Sequence, residues 1–160
     1  IIKLREGTKE LFTYLHKEKI PLIILSSSGV GDAISKVLEK EQILYDNIYI
    51  ITNKFEWNKN DVAIKSIKPV IHCMNKDETV LSNFPEIHKN IENRKNVILI
   101  GDSLGDLGMI TGFKYDNLIK VGFLNPGEEN NLEIYKQNFN IIVTKDGDMD
   151  FVNKLIIDIK

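Results

Sequence analysis

The sequence predicts an α/β fold, a parallel sheet with helices on both faces. Three observations predict it. The apolar runs "PLIIL", "NIYIIT", "VILI", "LIKVGF" and "NIIVT" show little polar alternation, as strands buried on both faces do. Helical patterns lie between those runs and at the C-terminus. No repeat, low-complexity tract or linker divides the 160 residues, a length that fits one domain.

The elements follow in order. Leu4, Leu11, Phe12 and Leu15 recur at helical spacing, so roughly 7–18 reads as an amphipathic helix with Thr8 as N-cap. "IPLIIL", 20–25, is a short buried strand, with Pro21 at its start, where a missing N–H is tolerated. The loop "SSSGVGD" leads into a second helix marked by Ile34, Val37 and Leu38. "NIYIIT", 47–52, is the next strand. The alternating stretch 53–70, with an Asn-rich turn near 58–60, predicts a β-hairpin excursion. Residues 77–93 are polar and partly helical. "VILI", "LIKVGF" and "NIIVT" supply three more strands, and "FVNKLIIDI" a final helix.

Bulk properties exclude several classes. Lys+Arg 21 against Asp+Glu 23 leaves a net charge of −2 and no basic stripe, which argues against nucleic acid as a partner. The single cysteine, Cys73, rules out an internal disulfide and suits a reducing, cytoplasmic setting. No apolar run approaches the ~18 residues of a membrane span, and no signal-peptide pattern is visible. The chain opens on Ile1 and goes directly into "IIKLREGTKELF", which reads as the interior of a longer protein.

Chemistry concentrates in "VILIGDSLGDLGM", residues 97–109. Asp102 and Asp106 follow a buried strand, where open α/β sheets bind ligands. Gly101 and Gly105 would let the backbone turn near a ligand. Two carboxylates this close repel unless a cation compensates, and Mg²⁺ prefers such oxygen donors. The alternative is structural: Asp102 caps the next helix and Asp106 sits in its first turn. Ser26, Ser27 and Ser28 end the "PLIIL" strand and precede Gly29 and Gly31, a pattern suited to phosphate or to simple capping. "GVG" lacks the third glycine and the acidic residue of a dinucleotide fingerprint. Lys76, in "MNKDE", would be an ordinary surface charge unless the other two sites face a phosphate. His16, His72 and His88 read as surface or partly buried residues without a task.

Taken together, these stretches resemble the haloacid dehalogenase-type phosphatases. Those enzymes carry a strand ending in Ser or Thr, then a Lys, then an acidic pair such as "GDSxxD"; here stand Ser26, Lys76 and "GDSLGD". More narrowly, "LREGTKELFTYL", "IPLIILSSSGVGD", "NKDE", "LIGDSLGDLGM" and "VGFLN" resemble the cytosolic pyrimidine 5′-nucleotidase (type III) family along nearly the whole chain.

The resemblance implies a Rossmann-like core with a small β-hairpin insertion. It also implies a Mg²⁺-dependent 5′-nucleotidase acting on nucleoside 5′-monophosphates such as UMP or CMP, monomeric in its full-length form and cytoplasmic. Asp102 would be the third protein ligand to Mg²⁺. Lys76 and Ser26 would hold the phosphoryl oxygens, and Asp106 would support Lys76 or a metal-bound water. The family has Ser-Ala-Gly where this chain has the longer "SSSG", so Ser26 or Ser27 takes the phosphate; Ser26 follows the strand directly.

The resemblance also demands groups that these residues do not supply. An aspartate nucleophile and an aspartate acid/base on "DxDxT", and a helical cap that reads the base, would precede Ile1, making this chain a partial core domain. "IIVTKDGDMDF" offers Asp146, Asp148 and Asp150 as an imitation, but Thr144 and Lys145 separate them from the strand, and "DGD" is a turn signal. The nucleophile's strand would lie between "PLIIL" and "VILI", leaving those two strands unpaired with each other. Rival readings are another phosphatase of the superfamily, such as a phosphoserine phosphatase, a receiver-like or metal-binding module, and an inactive homologue that only binds a partner.

Overall fold

Alternate residues of the central strands enter different apolar clusters, which is why their sequences lack polar alternation. In β1 (Leu22–Leu25), Leu22 and Ile24 pack on the main core, while Ile23 and Leu25 belong to a second cluster with Ile51 and Ile71. In β7 (Ile141–Val143), Ile141 and Val143 face the main core and Ile142 a third cluster around Leu124, Tyr135 and Phe139. The computed structural model describes residues 3–68, 70–72, 76 and 84–159. Cys73 and residues 77–83 of the predicted partly helical stretch 77–93 lie outside the described residues.

Helix α1 (Thr8–Lys17) turns Leu11, Phe12 and Leu15 inward, as their spacing requires. Its N-cap is Gly7, at φ 80°, and not Thr8. Thr8 is already helical and buried, and its hydroxyl donates to the Arg5 carbonyl at 2.7 Å. A left-handed entry favours glycine, so the cap falls one residue earlier than a side-chain cap would place it.

Helix α2 (Ala33–Lys40) joins β1 to β2 (Ile48–Ile51), and the two strands pair in parallel from Leu22↔Ile48 to Leu25↔Ile51. The hairpin β3 (Lys54–Trp57) and β4 (Ala63–Ile67) is antiparallel, with a bulge at Glu56/Trp57. Its Asn-rich turn is held by Asn58 Oδ1, which accepts from the Asn60 and Val62 amides at 2.9 and 3.0 Å. Helix α3 (Pro85–Ile91) starts with proline at its first position, where the lost N–H costs nothing.

The second parallel unit orders β5 (Asn96–Gly101), β6 (Asn117–Phe123) and β7. Helix α4 (Leu132–Asn138) precedes β7, and α5 (Asp150–Asp158) closes the chain. Among the described residues, β1 and β5 are not hydrogen-bonded to each other, and each has a strand neighbour on one side only. The expected break in the sheet is therefore present. One core still spans both parallel units: α1, α2, β2, β6 and α5 contribute Leu11, Leu38, Ile48, Val121 and Val152 to the same cluster. Among the described residues no helix is long and apolar enough to cross a membrane.

Candidate active site

β5 delivers Asp102 and Ser103 to a turn at its carboxyl end, followed by a 3₁₀ segment, Leu104–Ile110. Ser103 is the N-cap of that segment and forms a capping box with Asp106. Capping therefore belongs to Ser103, while Asp106 does lie in the first turn. "Ser103-Leu-Gly-Asp106" is itself a capping-box spacing, the sequence signal that marks Ser103.

Asp106 is 4% exposed, and its carboxylate is fully engaged. Oδ2 accepts from the Asp102 amide at 3.0 Å, the Ser103 amide at 3.0 Å and the Ser103 hydroxyl at 3.1 Å. Oδ1 accepts from Lys76 Nζ at 2.8 Å. Burial pushes this carboxyl up, but the Lys76 hydrogen bond and charge and the two backbone N–H donors outweigh it, holding it below the ordinary carboxylate value. Gly101 makes room for the arrangement: a Cβ there would sit 2.5 Å from Asp106 Cβ. Gly101 does not have positive φ, so its use is space and not a reversed turn.

Lys76 is positioned at two points. Its ammonium meets Asp106, and its carbonyl lies so close to Gly108 that a Cβ on Gly108 would be 3.0 Å away. Asp102 presents a contrasting environment. Its side chain is exposed, and no hydrogen bond or ion pair among the described residues engages its carboxylate. Its backbone is fixed, because the Tyr135 hydroxyl donates to the Asp102 carbonyl at 2.6 Å. Tyr135 is raised above the ordinary phenol value, first by burial and then by the nearby charges of Glu128, Asp102 and Asp106.

The Ser26–Gly31 loop leaves β1 through successive serine turns. Ser26 N–H donates to the Ile51 carbonyl at 2.9 Å, which extends the β1–β2 ladder by one bond. The Ser26 hydroxyl oxygen accepts from the Ser28 amide at 3.1 Å, and the Ser28 hydroxyl oxygen accepts from the Val30 amide at 3.2 Å. Ser26 is partly buried and Ser27 exposed. Direct contacts thus join Lys76, Asp106, Ser103 and the Asp102 backbone. Ser26 and Ser27 stand on a separate loop, related to them through the Leu25–Ile51–Ile71 cluster, against which Met109 of the 3₁₀ segment packs.

The imitation nucleophiles at the end of β7 are otherwise occupied. Asp146 pairs with Arg5 at 2.7 Å, and Asp148 Oδ1 accepts the Asp150 amide at 3.0 Å. Lys145 and Asp146 both have positive φ, as a tight turn requires. Arg5 also donates to the Gly147 carbonyl at 2.8 Å and lies over the Phe123 ring, tying the segment before α1 to the carboxyl ends of β6 and β7.

Among the described residues no group of three or more His, Cys, Asp or Glu side chains converges as a metal site. The donor chemistry at the end of β5 nevertheless suits a hard cation at one point. Asp106 has its lone pairs committed, whereas Asp102 offers an uncommitted carboxylate, the donor type Mg²⁺ takes from proteins one or two at a time.

The whole chain, residues 1–160, matches the family described as pyrimidine 5′-nucleotidase (UMPH-1). The chain belongs to this family. A mouse member of the relatives, named 7-methylguanosine phosphate-specific 5′-nucleotidase, is 36% identical over 155 residues, covering 96% of this chain and 51% of its own length. A solved structure of cytosolic 5′-nucleotidase IIIB bound to cytidine superposes with a TM-score of 0.86 at 30% identity, over 96% of this chain and 51% of that one. A substrate-bound phosphoserine phosphatase shares the fold, with a TM-score of 0.59 at 21% identity, over 98% of this chain and 64% of its own. The chain spans about half the length of the curated relatives it matches.

Proposed function

We propose that this chain is the phosphate- and metal-positioning part of a cytosolic 5′-nucleotidase that hydrolyses nucleoside 5′-monophosphates, pyrimidine ones among them, to nucleoside and phosphate. The observation that carries the reading is the largely buried Lys76–Asp106 pair at the carboxyl end of β5, one turn from the uncommitted Asp102, in a chain that matches the nucleotidase family throughout.

Each residue has a task in this reading. Lys76 keeps donors to spare beyond Asp106 and faces them to the phosphoryl oxygens, where negative charge is stabilised during transfer. Asp106 holds the Lys76 side chain in place through their 2.8 Å ion pair. The Ser26 hydroxyl, whose oxygen already accepts from Ser28, retains its proton for one phosphate oxygen; Ser27 is the exposed alternative on the same loop. Asp102 would hold Mg²⁺, which when bound neutralises phosphate charge and orients the attacking group. The attacking carboxylate and the acid/base belong, in this reading, to a strand that fills the space between β1 and β5, outside these 160 residues. Attack by that carboxylate on phosphorus forms an aspartyl-phosphate as the ester P–O bond breaks, the nucleoside leaves with a proton from the acid, and water hydrolyses the aspartyl-phosphate to restore the carboxylate and release phosphate.

Names of the relatives bear on the substrate. One is called specific for a 7-methylguanosine phosphate, and another is seen with cytidine. The test is phosphate release by the full-length protein from UMP, CMP, 7-methyl-GMP and phosphoserine at equal concentration with Mg²⁺. Nucleotides hydrolysed well above phosphoserine support the reading. Phosphoserine as the preferred substrate, or no release from any of the four, overturns it.

A further inference from the structure

Resting on that reading, we infer that Asn53 is a positioning residue that fixes the serine loop and the backbone at Ile71, five residues before Lys76, relative to each other. Asn53 lies between β2 and β3, immediately before Lys54, and is 7% exposed. Its side chain makes four hydrogen bonds, all to backbone. Nδ2 donates to the carbonyls of Ser27 at 3.2 Å, Ser28 at 3.3 Å and Ile71 at 2.9 Å. Oδ1 accepts the Ile71 amide at 2.7 Å. One amide therefore clasps two segments that are far apart in sequence, the loop after β1 and the chain at Ile71 beyond the hairpin.

Both clasped segments lead to groups with an assigned task. Ser27 and Ser28 are the residues after Ser26, and their carbonyls set the curvature that points the loop's hydroxyls and amides. Ile71 stands five residues before Lys76. Its side chain is 3% exposed in the cluster with Leu25 and Ile51, so the backbone at Ile71 is fixed from both sides, by packing and by Asn53. The loop is shaped around the same residue: a Cβ at Gly31 would run into the Asn53 carbonyl oxygen.

The chemistry requires asparagine. An aspartate would keep the acceptor for the Ile71 amide but face three carbonyls without a donor. An alanine would leave the Ile71 amide and carbonyl buried and unpaired. Phosphate held between Ser26 and Lys76 needs the two at a set separation, because misplacing either by a fraction of an ångström weakens hydrogen bonds that are strong only at short range.

The experiment compares Asn53→Ala, Asn53→Asp and Val152→Ala in the full-length protein. Val152 is fully buried in the main core, so its truncation lowers stability without touching either clasped segment. Thermal unfolding gives a common temperature at which all three are folded. There, inorganic phosphate binding is measured by calorimetry, together with KM and kcat, and amide exchange is followed at Ile71. The expected result is that both Asn53 variants bind phosphate about tenfold more weakly or worse, while Val152→Ala binds as wild type does. The Ile71 amide should exchange faster in Asn53→Ala and stay protected in Asn53→Asp. Phosphate affinity and KM within about twofold of wild type in a folded Asn53→Ala would overturn the inference, as would unchanged exchange at Ile71. Wild-type protein that neither binds phosphate nor releases it from nucleotides would instead overturn the proposed function, and this inference with it.

Discussion

Lys76 and Asp106 meet at 2.8 Å with their side chains 13% and 6% exposed, 30 residues apart in sequence. Ion pairs on a protein surface contribute little, but removing one member of a withdrawn pair strands the other charge in a poorly solvated place. Asp106→Ala strands Lys76 and also the Asp102 and Ser103 amides. It should lower unfolding stability by about 3 kcal/mol or more, measured by urea denaturation at pH 7.

The same pair makes stability depend on acid. The folded state keeps Asp106 ionised to a lower pH than the unfolded chain does, because Lys76 and two N–H donors outweigh burial. Its contribution is fully present above the unfolded value of about 3.9 and is lost as pH falls through the lower folded value. Urea midpoints below about pH 4 should therefore fall more steeply in wild type than in Asp106→Asn. Parallel pH profiles would assign the acid sensitivity elsewhere.

Gly101→Ala places a methyl group 2.5 Å from Asp106 Cβ at the end of β5. Backbone and side chain there are both fixed, so relief requires moving the turn. A loss of about 1–3 kcal/mol is expected, with phosphatase activity falling further than stability alone explains at a temperature where the variant is folded.

Tyr135→Phe deletes the hydroxyl that donates to the Asp102 carbonyl at 2.6 Å. The stability cost should be about 1 kcal/mol. A more specific consequence is expected in the Mg²⁺ titration of activity, whose midpoint should rise because the Asp102 turn is less firmly held. An unchanged midpoint would show that Tyr135 serves packing alone.

Much of this was legible in the sequence, for physical reasons that differ by element. Strand runs such as "VILI" were readable because burial on both faces removes polar residues altogether. The hairpin was readable from its Asn-rich turn. The cap of α1 was misplaced because left-handed glycine caps compete with side-chain caps at the same spot, and Thr8 followed Gly7. At the site, Asp102 and Asp106 stood out as a pair, yet their environments differ: one is open, the other consumed by Lys76 and the capping box. That division depends on where Ser103 and Lys76 fall in space. Asn53 and Tyr135 were invisible, since an Asn opening a hairpin and a Tyr on a helix face each have an ordinary local explanation. Their partners are backbone groups 18 to 33 residues away, and backbone partners leave no mark in a sequence.

The most direct test of the central claim is phosphate release from a nucleoside 5′-monophosphate by the full-length protein, with and without EDTA, in wild type, Asp102→Asn and Lys76→Ala. The account predicts that EDTA abolishes wild-type release and that added Mg²⁺ restores it. Each substitution should lower kcat/KM on the order of a hundredfold or more, Asp102→Asn through the metal and Lys76→Ala through uncompensated phosphoryl charge. EDTA-insensitive release that survives in both variants would contradict it.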